Sequence, residues 1–155
     1  MMSIASSARR QRGFTLIEIL ITVVLISVGL LGIAALQLTT LRSNQEAYVR
    51  SQASVLSADI LDRMRANATA ARNGQYVVGY NGTGDATTRA GRDLEAWQAV
   101  IDTTLPGGND VAAGRIEQTA GTNIFTITIQ WQERATGVDG TADGGPRFFR
   151  TRSEI

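Results

Sequence analysis

The sequence predicts an α+β protein in which one long N-terminal helix, hydrophobic in its first half and amphipathic in its second, packs against a small antiparallel C-terminal sheet. Three observations carry this expectation. From Phe14 to Leu41 the chain is uncharged apart from Glu18. From Val49 to Met64 apolar residues recur at helical spacing. From Asn123 to Arg134 they alternate with polar residues, the period of a strand with one buried face.

At 1.5 Å per residue, the apolar segment makes a helix of about 42 Å, longer than the roughly 30 Å hydrocarbon core of a bilayer. It is therefore expected to span a membrane. Arg9, Arg10 and Arg12 precede it and Arg42 follows it, so the positive-inside bias leaves the short N-terminal arm in the cytoplasm and exports the bulk. Glu18 is the anomaly. A carboxylate in a spanning helix costs roughly 2.5–3.5 kcal/mol on insertion scales, so it calls for a neutralising partner.

A secretory signal has a short apolar centre followed by a small-residue cleavage site. Here the apolar run is too long, and the small residue, Gly13, precedes it. The string Gly13-Phe14-Thr15-Leu16-Ile17-Glu18 resembles the class III leader of type IV prepilins and pseudopilins. That resemblance implies cleavage by a prepilin peptidase between Gly13 and Phe14, and N-methylation of Phe14. A glycine suits such a site because it lets a protease approach the backbone closely. The expected organisation is a cleaved leader at 1–13, a transmembrane or filament-core helix at 14–41 and a periplasmic head at 42–155.

Removing the leader from the 155-residue chain leaves 142, enough for an anchor and one head domain. The chain carries 15 basic and 14 acidic residues, and the leader takes three arginines and no acid, so the remainder has a net charge of −2. That balance gives no basic patch for nucleic acid. Cys and His are absent. Their absence removes thiol nucleophiles, Ser-His-Asp triads, imidazole bases and Cys- or His-ligated zinc. No cofactor is expected, and the head has to rest on its core without disulfides.

Beyond the apolar segment, Val49, Ala53, Leu56, Ile60 and Met64 follow at spacings of 4, 3, 4 and 4, one face of a helix continuing to about Asn67. Arg50, Asp59, Asp62, Arg63 and Arg65 fall on the other face, with Asp59 and Arg63 at i,i+4. Gly74 and the stretch Gly79 to Asp85 mark a loop. A second helix carries Asp93 near its start and Leu94, Trp97, Val100 and Ile101 on one side, and Leu105-Pro106-Gly107-Gly108 ends it. Strands are expected at 115–119, at 123–134 with Phe125, Ile127, Ile129 and Trp131 inward, and at 147–155, the last two joined by the loop from Gly137 to Pro146.

Several patterns permit a chemical reading, and each has a plainer one. Asp59 and Asp62 resemble a carboxylate pair but suit a solvated helix face. Trp97 at core spacing is read as core. Asp139 and Asp143 in the glycine-rich loop offer oxygen ligands for calcium without a full ligand set, so no metal site is assigned. Asn67-Ala68-Thr69 and Asn81-Gly82-Thr83 fit the glycosylation acceptor pattern and receive no role.

Four further pieces together resemble the PilV group of minor pilins within the type IV pilin superfamily. They are Gly29-Leu30-Leu31-Gly32, Asp62-Arg63-Met64-Arg65-Ala66-Asn67, the helix Asp93-Leu94-Glu95-Ala96-Trp97 with Leu105-Pro106-Gly107-Gly108, and a strand ending in Trp131. Ala35 stands where major pilins usually carry a proline, so Gly29 and Gly32 would supply any weak point in the helix. The resemblance implies a non-catalytic subunit that helps prime pilus assembly with other minor pilins, the major pilin and a tip adhesin. It also implies an inner-membrane location with the head in the periplasm and passage into the pilus. Glu18 is the expected assembly residue, pairing with the Phe14 amine. A minor pseudopilin of a type II secretion system has the same leader. A membrane-anchored periplasmic enzyme or binding module is the reading from another class.

Overall fold

The computed structural model describes residues 13–108, 111–132 and 145–155. Its elements are α1 (Leu16–Ala66), α2 (Ala68–Arg72), α3 (Arg89–Thr104), β1 (Ala113–Gln118), β2 (Ile124–Gln132) and β3 (Pro146–Glu154). The chain divides into two compact units, Met1–Ser43 and Asn44–Ile155.

In the first unit α1 is long and apolar enough to cross a membrane, and its large side chains are exposed from Leu16 to Leu41. Its hydroxyls are satisfied within the helix. Thr22 donates to Ile19 O, Ser27 to Val23 O, Thr39 to Ala35 O and Thr40 to Leu36 O, at 2.7–3.1 Å. A spanning helix requires this, since lipid supplies no hydrogen-bond partners.

The second unit has one core. Ala53, Leu56, Ile60, Leu61 and Met64 of α1 join Leu94, Trp97 and Ile101 of α3 and Ile116, Phe125, Ile127, Ile129 and Trp131 of the sheet. The helical stripe read from spacing is thus buried, with Val49 half-buried at its start. The sheet is an antiparallel meander of order β1-β2-β3. Gly121, at φ +72°, makes the β1–β2 turn, a left-handed position that disfavours a side chain.

The structure corrects several expectations. The single turn of α2 follows the long helix, ahead of Gly74, where no element was expected. On α3, Val100 is 43% exposed while Gln98 is buried. The reason is angular, because at 100° per residue Gln98 lies closer than Val100 to the centre of the Leu94, Trp97 and Ile101 face. Gln98 tolerates burial because Gly114 N–H donates to its Oε1 (3.0 Å) and its Nε2 donates to Ala112 O (3.2 Å). Thr128, on the expected polar face of β2, is also buried. Its register neighbours are Arg115 and Arg150, and Arg150 Nε donates to its Oγ1 at 3.3 Å. β1 begins two residues earlier than expected. β2 ends at Gln132, and the remainder of that expected strand, with Asp139 and Asp143, lies outside the described residues.

Candidate functional site

The residues expected to carry function cluster at the start of α1. Gly13 and Phe14 precede the helix, exposed and without regular structure. Thr15 O accepts the first helical bonds, from Glu18 N (3.1 Å) and Ile19 N (3.3 Å). Glu18 therefore lies in the first turn. The spacing Thr15-x-x-Glu18 is that of a capping box, a signal present in the sequence but unread there. No side-chain capping bond forms at either residue, so the Glu18 carboxylate has no partner among the described residues.

The helix start offsets part of the cost of a carboxylate at Glu18. A carboxylate in a first turn gains about 0.3–1 kcal/mol from the helix dipole. Its cost within a membrane is roughly 2.5–3.5 kcal/mol. The dipole alone therefore offsets only the smaller part of that cost.

Gly29 and Gly32 continue α1 without a break. An added Cβ at either would meet nothing within 4 Å, so no contact inside this chain requires glycine there. Each weakens the helix by about 1 kcal/mol relative to alanine.

A second polar cluster joins three segments of the head. Tyr76, fully buried, donates through its hydroxyl to Asp93 Oδ2 (2.6 Å) and accepts from Asn67 Nδ2 (3.2 Å). Asp93 also faces Arg63 (3.7 Å) and Arg89 (3.9 Å). Burial, reinforced by the bond to Asp93, pushes the Tyr76 hydroxyl above its ordinary pKa. These contacts give Arg63, Asn67 and Asp93 a structural use, which their separation in sequence concealed. The Asn67 side chain is committed to Tyr76. Asp59 and Asp62 do not form a carboxylate pair, since Asp59 binds Arg63 (3.0 Å) and Asp62 binds Arg65 (2.9 Å). The depression lined by Arg72, Gln118, Gly121, Thr122 and Asn123 is polar and open to solvent.

Trp97 lies in the core, as its spacing predicts. Its Nε1 donates to Leu56 O at 2.9 Å, tying α3 to α1.

Residues 8–34 match the family described as the prokaryotic N-terminal methylation motif. No curated protein and no solved structure matches the chain. The matched segment contains Gly13, Phe14, Glu18, Gly29 and Gly32. This motif leads into a long apolar helix with a helix-plus-meander head after it, an arrangement similar to that of type IV pilin-like proteins.

Proposed function

We propose that the protein is a minor type IV pilin of the PilV group, a non-catalytic subunit that helps prime pilus assembly together with other minor pilins, the major pilin and a tip adhesin. The observation that carries this is the methylation motif at 8–34 with a carboxylate, unpartnered among the described residues, one turn into an exposed apolar helix. A prepilin peptidase cleaves after Gly13 on the cytoplasmic side of the inner membrane and methylates Phe14. The head stays in the periplasm until the subunit enters the filament.

Processing and assembly are linked by charge. Before cleavage the Phe14 nitrogen is a peptide amide and cannot neutralise Glu18. After cleavage it is an amine one helical turn away, and in a filament the amine of an adjacent subunit takes that place. Attraction between unit charges at 4 Å is about 4 kcal/mol at an effective dielectric of 20, before desolvation. Gly29 and Gly32 let neighbouring helices come close enough to hold the pair in register.

The motif is shared with pseudopilins, so a minor pseudopilin of a type II secretion system is the competing assignment. Pilus counts and secretion assays in a deletion strain separate the two. In the pilus reading, Glu18→Ala leaves leader cleavage and membrane insertion intact but lowers piliation and co-purification of partner pilins. Wild-type piliation of that variant would refute the role of Glu18.

A further inference from the structure

The two edges of the sheet are finished differently. Thr119 N–H donates to Ile124 O (2.9 Å), which sets the phase of the β1–β2 ladder and turns the backbone of residues 112, 114, 116 and 118 outward. That edge is occupied. Gln98 pairs with Ala112 O and Gly114 N–H as a strand would, and Val78 exchanges two backbone bonds with Ile116 (3.0 and 2.9 Å). On the far side, Ile155 N–H donates to Asn123 O (3.0 Å), which turns the backbone of Phe148, Arg150, Arg152 and Glu154 away from β2. Among the described residues, the outward backbone groups of Phe148, Arg150 and Arg152 have no partner, and Glu154 O accepts only the Ser153 hydroxyl (3.3 Å).

A nine-residue strand whose edge is unfilled among the described residues is a template for strand addition. Its side chains say which strand. In the full antiparallel register a second copy would set Arg150 against Arg150, and in the register that overlaps residues 148–154 it would set Arg150 against Arg152, both unfavourable. An acidic strand meets the same side chains with opposite charge. Phe148, 51% exposed, adds apolar contact at one end.

We propose that the outer edge of β3 is a strand-accepting site that takes an extended acidic segment of another subunit in the same assembly. The edge stands on the sheet geometry alone, whereas naming the donor as a fellow subunit rests on the pilin assignment. The arginines then act as selectors, repelling a second copy of this chain and admitting the acidic strand.

The test uses the full chain in detergent micelles and a nine-residue peptide alternating glutamate with valine. Amide exchange should be roughly tenfold or more faster at Phe148, Arg150 and Arg152 than at Phe149, Thr151 and Ser153. The acidic peptide should slow exchange at the first set. Its arginine counterpart, or the same acidic peptide N-methylated on alternate backbone nitrogens, should not. Arg152→Glu, at an exposed position, should weaken acidic-peptide binding roughly twofold to fivefold with unchanged melting. The proposal is overturned if the outward amides are already protected without peptide, or if the acidic, basic and methylated peptides bind alike. Because these readouts involve neither cleavage nor piliation, their failure is separable from failure of the pilin assignment.

Discussion

Gly114→Ala tests the packing of the head most sharply. Gly114 lies in β1 opposite Ile129, on the strand face toward α3. A Cβ there would run into Cη2 and Cζ3 of Trp97 and come within 2.9 Å of Ile101 Cδ1. The indole has no room to yield, because Trp97 is 1% exposed and its Nε1 is bonded to Leu56 O. Nor can the strand retreat freely, since Gly114 N–H is bonded to Gln98 Oε1. One added methyl should therefore cost about 1–3 kcal/mol, the usual range for overpacking. For a head of this size, that lowers the melting temperature by roughly 4 °C per kcal/mol. Gly79→Ala, where an added Cβ meets nothing within 4 Å, is the control and should stay within about 0.5 kcal/mol of wild type. Trp97→Phe removes the two clashing atoms along with the indole bond and should itself cost about 2 kcal/mol. In the double variant the clash with the indole is gone and only the movable Ile101 Cδ1 remains close, so the two costs should fail to add by at least about 1 kcal/mol. Urea melts of the four combinations, followed by circular dichroism, measure this coupling. Additivity within about 0.5 kcal/mol would show that Gly114 does not serve to admit the indole.

The intact mass of membrane-extracted protein should correspond to a chain beginning at methylated Phe14, and a chain retaining residues 1–13 in cells with active prepilin peptidase would overturn the processing site. The fragment from Asn44 to Ile155 should fold alone as a monomer, and within it Met64→Ala should cost about 2–5 kcal/mol by denaturant titration. Because burial and the bond to Asp93 raise the folded-state pKa of Tyr76 above the ordinary 10.0, the unfolded chain loses that proton first as pH rises. The associated stability is present below pH 10 and lost through the folded-state pKa above it; Tyr76→Phe should flatten that alkaline decline in thermal melts.

Patterns carried by neighbouring residues were legible without coordinates. The apolar run, the glycine and carboxylate at its start, the stripe from Val49 to Met64 and the alternation from Phe125 to Trp131 each repeat at a period that backbone geometry imposes. Side chains whose role depends on a distant partner were not. Gln98 reads as a solvated helix residue until the β1 backbone is beside it. Thr128 reads as surface until Arg115 and Arg150 stand on either side of it in the sheet. Arg63, Asn67, Tyr76 and Asp93 show no common purpose along the chain, and α2 is too short to leave a periodic signal.

The sequence by itself determined the class of architecture, the processing motif and the isolated charge at Glu18, because helix period, strand period and membrane length are local properties of the covalent chain. Tertiary structure decided which polar groups are buried, which glycine admits the indole, and which edge of the sheet is covered by Val78 and Gln98. Those outcomes depend on contacts between residues far apart in sequence, such as Trp97 with Leu56 and Gln98 with Gly114. Hydrogen-bond satisfaction and close packing are properties of pairs, and only folding creates the pairs.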